Sequence, residues 1–398
     1  MSFDIEKLDL KPDEKVTIYL VTGEPSGDLL GARLMRALAK KYKNQVSFVG
    51  VGGESMIKEG LNSLFDIKDL AVMGLAEVIP SIPLVLKRLD QTVQDILIKQ
   101  PDIVMTIDSF SFSARVHKKL KKLKFEKPHV HCVAPQVWAW KKGRAKKVSQ
   151  YIDHLFCLLP YEEKYFTPHG MSTTFIGHPV IEGGAEKGDG PDFKKRYGID
   201  EKALVMTMLP GSRKNEVAFL MDLFMKATEQ IQQKYNNLFV VVPTVATVSE
   251  RLKETLKNWS VPHVVVEGEK ERYNAFAASD VAMAASGTVS LELALAGVPH
   301  LIAYRVSKLT GILAKHLLKI KYVNLTNILA DKEIVPELLQ DKCTVQNLAE
   351  TMIRLIANPK QPVFESLKKL GQGQDLLPSE KMGEILLSLA LENKKVNG

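Results

Sequence analysis

Leu204-Val-Met-Thr-Met-Leu-Pro-Gly-Ser-Arg213 is the stretch that decides how this chain is read. Leu204–Leu209 is a short apolar run, which reads as a buried strand. Pro-Gly-Ser then imposes a turn, and an amphipathic run over Glu216–Tyr235 reads as a helix. The same sentence recurs downstream. A strand over Val281–Ala284 is followed by Ser286-Gly-Thr-Val-Ser-Leu-Glu292 and a helix over Thr288–Ala296. Small residues at such turns let an anion approach the backbone N–H groups at a helix start. Two such turns in one domain point to a diphosphate, held by Gly211, Ser212 and Arg213 on one side and Ser286, Gly287 and Thr288 on the other. Arg213 is either a bidentate phosphate partner or a surface residue at a turn. Glu292 lies one helical turn after Thr288 on the same face, where its carboxylate reaches a ribose hydroxyl pair.

Working outward, the chain alternates short apolar runs with longer amphipathic ones. Strands are expected at Val16–Thr22, Val46–Val51, Ile103–Ile107, Val130–Val133 and Leu155–Leu159. A second set follows at Leu204–Leu209, Leu238–Val242, His263–Val266, Val281–Ala284 and Leu301–Tyr304. Helices are expected from near Gly27, Ser111 and Gly143, then over Ser249–Asn258, Lys270–Ala278 and Ser379–Glu392. Near-continuous apolar strands with helical crossovers predict α/β architecture, with parallel sheets covered on both faces. Gly183, Gly184, Gly188, Gly190 and Pro191 read as a linker. The expected organisation is residues 1–182 as one Rossmann-like domain, 192–370 as a second facing it across a cleft, and 371–398 as a C-terminal segment that packs back on the first.

The 398 residues, 45% of them hydrophobic, suffice for two such cores. Cys132, Cys157 and Cys343 are too few and scattered for a disulfide framework and read as small core residues. Met1–Lys15 lacks the apolar region of a signal peptide, and no stretch reaches the roughly 18 apolar residues of a membrane span. The expectation is a cytoplasmic or membrane-peripheral protein. The net charge of +8 is concentrated: residues 109–150 hold twelve Lys or Arg against one acid, Glu126. There Phe112, Val116, Leu120 and Leu123 share one helix face, and Arg115, Lys118, Lys119 and Lys122 fall mostly on the other. That basic face, with Lys141, Lys142 and Arg144 beyond Trp138 and Trp140, is either solvated or meets an anionic membrane surface. No nucleic-acid-binding module is present. Leu70–Leu86 is strongly apolar yet broken by Pro80 and Pro83, so it is either a buried loop or an exposed patch that meets lipid.

Two carboxylates fall at the carboxyl ends of first-domain strands. Glu24 sits in Gly23-Glu-Pro-Ser-Gly-Asp28, where Ser26 or Asp28 would cap the following helix. Asp108 follows the strand Ile103–Ile107. Together they can activate a hydroxyl, or each can serve a turn or cap. The first turn is not the G-x-G-x-x-G fingerprint, which argues against a nicotinamide cofactor. The nine histidines show no ligand spacing, so no metal site is expected. Asn324 and Asn327, polar residues within an apolar stretch, either satisfy backbone groups or touch a ligand. His178, beside Pro179 at the domain boundary, reads as structural.

Six motifs in order resemble those of the lipid-A-disaccharide synthase family: Gly23–Asp28, Val72-Met-Gly-Leu-Ala-Glu77, Ala134-Pro-Gln-Val-Trp-Ala-Trp140, Phe175-Ile-Gly-His-Pro179, Leu209–Arg213 and Ser286–Glu292. The resemblance spans about Val16 to Leu339. It implies a two-domain GT-B glycosyltransferase working without metal or other cofactor at the inner membrane of a Gram-negative bacterium. Such an enzyme transfers 2,3-diacylglucosamine from UDP to the 6-hydroxyl of 2,3-diacylglucosamine 1-phosphate, with inversion. The implied partners are these two lipids and an anionic membrane surface. Glu24 and Asp102 match family carboxylates important for activity; Arg213, Glu292 and Asn327 match nucleotide contacts. Val72, Met73 and Glu77 fall in the region expected to meet acyl chains and acceptor. The chain departs from the family at Ile107-Asp-Ser-Phe-Ser-Phe-Ser113, where Ser111 replaces a second acid. Another GT-B UDP-sugar enzyme, an epimerase or a soluble-acceptor transferase, and a lipid-binding homologue with impaired catalysis are the competing expectations.

Overall fold

The computed structural model describes residues 8, 10–70, 75–135, 137, 143–305, 321–359 and 367–397, with backbone alone for 75–81 and 397. The chain divides into two compact units. One is Met1–Pro179 with Gly373–Gly398; the other is Val180–Gln372.

In the first unit, six strands form one parallel sheet: β1 (Val16–Thr22), β2 (Val46–Val51), β3 (Ile103–Ile107), β4 (His129–Cys132), β5 (His154–Cys157) and β6 (Ser172–Phe175), in the order β2-β1-β3-β4-β5-β6. The helices are α1 (Pro25–Tyr42), α2 (Glu54–Lys58), α3 (Leu75–Lys99), α4 (Phe110–Lys122) and α5 (Arg144–Val148). Successive residues of β1 point to opposite faces. Ile18 and Leu20 pack with Leu34 and Leu38 of α1 and with Ile385 and Leu386 of the terminal helix, Pro378–Asn397. Tyr19 and Val21 pack with Val93 and Ile96 of α3 and Val116 and Leu120 of α4. With both faces covered, β1 is apolar at every position but Thr17 and Thr22, and each buried aliphatic side chain contributes about 1.5–3 kcal/mol.

The proline-broken apolar run is neither a loop nor wholly buried. From Leu75 it is helix α3, containing both Pro80 and Pro83, and its Ile82, Leu84 and Leu86 are 45%, 38% and 46% exposed. No described helix is long and apolar enough to cross a membrane. Val72, Met73, Trp138, Trp140, Lys141 and Lys142 lie outside the described residues, as does the side chain of Glu77.

The second unit repeats the architecture with β7 (Leu204–Leu209), β8 (Leu238–Thr244), β9 (His263–Glu267), β10 (Val281–Ala285), β11 (His300–Tyr304) and β12 (Glu337–Leu339), parallel in the order β12-β11-β10-β7-β8-β9. Its helices are α6 (Gly190–Arg196), α7 (Lys214–Lys234), α8 (Ala246–Leu256), α9 (Glu269–Ala278), α10 (Val289–Leu295), α11 (Leu325–Ala330) and α12 (Val345–Ala357). Met206, Met208, Val240 and Met283 face Leu220 and Phe224 of α7 and Met352 of α12. Val205 and Val241 face Phe193 of α6 and Ala275 of α9.

The glycine-rich stretch after Glu182 is not a free linker. Asp189 N donates to Asn274 Oδ1 at 2.9 Å, and a Cβ on Gly188 would lie 2.0 Å from the Tyr273 carbonyl oxygen. Glycine is required there because the chain runs hard against α9. Each sheet has one point where strand order reverses, between β1 and β3 and between β7 and β10. In doubly wound sheets ligands bind outside the carboxyl ends of the strands at that point.

Candidate functional site

At the β7/β10 reversal the second unit holds a cavity of about 340 Å³, within the usual range for small-molecule sites. The ends of β7, β8 and β10 meet there. Gly211, Ser212, Arg213, Ser286, Gly287, Thr288 and Glu292, separated by some 80 residues of chain, all line it. The turn after β7 needs glycine: Gly211 has φ +118°, and a Cβ there would sit 2.6 Å from Glu216 Oε2.

That Glu216 carboxylate corrects the expectation for this turn. Its Oε2 accepts from Ser212 N at 3.1 Å and Arg213 N at 3.3 Å, and its Oε1 accepts from Arg213 Nη1 at 3.2 Å. Glu216 thus reaches back over the start of α7, and the amides of Ser212 and Arg213 just ahead of the helix already carry an anionic partner. By contrast Thr288, at the N-cap of α10, makes no side-chain capping bond. What α7 offers an incoming anion is the Arg213 side chain, 60% exposed.

Glu292 is paired with Arg272, whose Nη2 donates to Glu292 Oε1 at 3.0 Å. Arg272 lies in the first turn of α9 and its side chain is 24% exposed. Burial alone would lower its pKa, but Glu292, with Tyr273 and Glu269, holds it above the ordinary value. The Tyr273 hydroxyl is pushed up to about 12, by burial first and then by Glu292. No local signal marks Arg272, because Glu269-Lys-Glu-Arg272 reads as a solvated helix start. Pro243, Thr244 and Val245, at the end of β8, also line the cavity and were likewise not anticipated.

Asn327 is not among the residues lining this cavity. Its Oδ1 accepts from Ile334 N at 2.7 Å and Val335 N at 2.9 Å, and its Nδ2 donates to Val335 O at 2.7 Å and Glu337 Oε1 at 2.8 Å. An amide with two acceptor and two donor places is then fully used. Asn324 caps α11 by accepting from Thr326 N and donates to Ser290 Oγ. His300 completes that network: Nδ1 donates to Val298 O, so Nε2 is bare and accepts from the Ser290 hydroxyl at 2.7 Å. The two asparagines therefore fix α10 and the segment before β12.

In the first unit the β1/β3 reversal brings Glu24 and Asp108 together. Asp108 Oδ2 accepts from Ser26 Oγ at 2.9 Å and Oδ1 from Ser109 N at 2.9 Å, and Ser109 Oγ donates to Glu24 Oε1 at 3.4 Å. Asp108 and Ser109 both take left-handed backbone, φ +54° and +42°. Two consecutive non-glycine residues in that region cost of order 1–3 kcal/mol each, and such strain collects at functional sites. Ser26 does not cap α1. Asp28 caps a different helix, accepting from Gly53, Ser55 and Met56 N ahead of and within α2. Ser111 is exposed in the first turn of α4.

Asp102 does not join this pair. It precedes β3, at the amino-terminal edge of the sheet. There Oδ2 accepts from Thr17 N at 2.8 Å, and Oδ1 pairs with Lys394 of the terminal helix at 3.1 Å. On α4, Arg115, Lys118 and Lys122 are exposed as expected, but so is Leu123, at the helix end. Part of the basic charge is engaged internally: Lys119 with Asp90, Lys118 over the Tyr151 ring and Arg144 over the Phe110 ring.

A family model described as lipid-A-disaccharide synthetase matches residues 18–379. The chain is 47% identical over 378 residues to the lipid-A-disaccharide synthase of Rhodospirillum centenum, covering 94% of each chain. It is 44% identical to that of Paramagnetospirillum magneticum, covering 95% of this chain and 98% of the relative. Among solved structures, UDP-GlcNAc 2-epimerase from Neisseria meningitidis bound to UDP-GlcNAc superposes with TM-score 0.60 at 12% identity, over 94% of this chain and all of that one. At that identity the likeness is one of fold.

Proposed function

This chain belongs to the lipid-A-disaccharide synthase family, and with that as premise we propose how its residues carry out the reaction. It is a GT-B hexosyltransferase. It moves 2,3-diacylglucosamine from UDP to the 6-hydroxyl of 2,3-diacylglucosamine 1-phosphate, with inversion, giving the β-1,6-linked disaccharide phosphate and UDP. In our reading UDP occupies the second unit's cavity. The observation that carries this is the convergence there of both small-residue turns, Glu292 and two arginines at the point of strand reversal.

Glu292 accepts from the ribose hydroxyls. The Arg213 guanidinium and the Ser286–Thr288 turn stabilise the charge that develops on departing UDP. The Glu24–Asp108 pair takes the proton from the acceptor hydroxyl as the glycosidic bond forms. Acyl chains lie against the segment that begins at Val72, Met73 and Glu77 and continues into the exposed apolar residues of α3. Arg115, Lys118, Lys119, Lys122, Lys141, Lys142 and Arg144 hold the enzyme peripherally on the anionic inner membrane, from the cytoplasmic side.

The test is incubation with UDP-diacylglucosamine and the monosaccharide phosphate, following disaccharide and UDP, for the wild type, Glu24→Gln and Asp108→Asn. Near-full turnover in both variants removes the carboxylate pair from the mechanism. Binding to anionic vesicles that does not weaken with salt removes the membrane role of the basic face.

A further inference from the structure

We propose that Thr244 and Arg272 are nucleotide-contacting residues, each with a polar atom short of protein hydrogen-bond partners and satisfied by UDP. The inference rests on reading the cavity as the UDP site and extends it to two side chains on β8 and α9. Thr244 Oγ1 and Arg272 Nε are both shut away from water, and neither meets a protein partner. Both residues line the same cavity.

Buried polar groups are ordinarily paired, and an unpaired one costs stability. Asn327 in the same unit is fully paired, and the one further unpartnered buried side-chain oxygen among the unit's described residues, Thr326 Oγ1, is not among those lining this cavity. Two shortfalls at one pocket point to a ligand rich in acceptors. A uracil carbonyl, a ribose oxygen or a diphosphate oxygen supplies them.

The two arginines of the pocket differ in what they can contribute. Arg213 is 60% exposed and rests on Glu216, in water that screens its charge. Arg272 is mostly buried beside Glu292 and 5.2 Å from the Tyr273 ring, so its charge is screened less and its fork is better held. Thr244 ends β8, where that strand meets the cavity.

The experiment measures UDP binding by calorimetry and thermal stability for Thr244→Val, Arg272→Gln and Arg213→Gln. Thr244→Val is near-isosteric and removes an unpaired hydroxyl. It is expected to weaken UDP about fivefold while leaving the melting temperature unchanged or raised, the worth of one ordinary hydrogen bond. Arg272→Gln is expected to weaken UDP more than about tenfold, and more than Arg213→Gln does, as befits a charged donor. UDP affinity within about twofold of wild type for both Thr244→Val and Arg272→Gln overturns the proposal. So does a loss in Thr244→Val matched by a fall in melting temperature, which marks a structural role. If the wild type itself does not bind UDP, the reading of the pocket falls first, which separates the two failures.

Discussion

The two units share a doubly wound parallel sheet and differ in what stands at the point of strand reversal. At β1/β3 the loops present two carboxylates bridged by Ser109, on backbone held in the left-handed region. At β7/β10 they present two arginines, each resting on a glutamate, around small-residue turns. One edge suits taking up a proton and the other suits holding an anion. The sheets position the edges, and the residues just beyond the strand ends decide the chemistry.

The interiors differ as well, and acid gives the largest contrast. Burial drives five histidines of the first unit down: His117 well below the ordinary value, and His129, His131, His154 and His178 to about 4. In the second unit only His300, among the described residues, is pushed there, again by burial. Three of the five form a one-way chain. Phe125 O accepts from His129 Nε2, so His129 Nδ1 accepts from His117 Nδ1. His117 Nε2 then accepts from Thr106, whose oxygen accepts from His131 Nδ1. An added proton breaks a link. These groups stay neutral in the fold, whereas the unfolded chain takes up protons near pH 6.5. Their stabilisation is therefore complete above that pH and falls toward pH 4, by up to about 1.4 kcal/mol per pH unit for each. Hydrogen exchange between pH 7 and 4.5, corrected for intrinsic rates, is expected to show the first unit opening first. Simultaneous opening breaks the contrast.

The division of chemistry predicts the next largest effect. Asp108→Asn or Glu24→Gln, whichever is the base, is expected to lower turnover by about a hundredfold or more, with UDP affinity unchanged. A parallel loss of UDP binding in calorimetry would mean that the carboxylate edge also serves the donor.

How far the sequence reached depends on whether a signal is local. Strands β1, β3 and β7 appear at the bounds their apolar runs dictate, because a strand covered on both faces needs little more than near-continuous hydrophobicity; β2, at the sheet edge and only partly buried, also keeps its expected bounds. Strands β6 and β12 escaped notice, being short and only partly buried. Both small-residue turns of the pocket were legible from local chemistry. Arg272 and Thr244 were not, because only topology brings α9 and β8 to the turns. Asn327 shows the reverse case: from the sequence it reads either as a backbone partner or as a ligand contact, and in the structure the backbone before β12 occupies its amide. Asn327→Ala leaves two buried amides and a carbonyl without that side chain, and is expected to cost about 2–4 kcal/mol in denaturant unfolding. If it instead weakens UDP with stability intact, the ligand reading returns.

Ser111 makes the finest test of the contrast, because the sequence resemblance implies a second acid there and this chain has a hydroxyl. It is exposed in the first turn of α4, a helix whose first turn holds no acid. A carboxylate there faces the positive end of the helix. Ser111→Asp is therefore expected to stabilise the first unit by about 0.3–1 kcal/mol at low salt, read as a small rise in melting temperature that fades as salt is added. Turnover is the sharper reading. If the Glu24–Asp108 pair already supplies the base, Ser111→Asp changes the rate little, since a third carboxylate adds no proton acceptor the reaction lacks. A tenfold or greater gain would show that this chain works with an incomplete acceptor edge, its deficit lying wholly in the first unit.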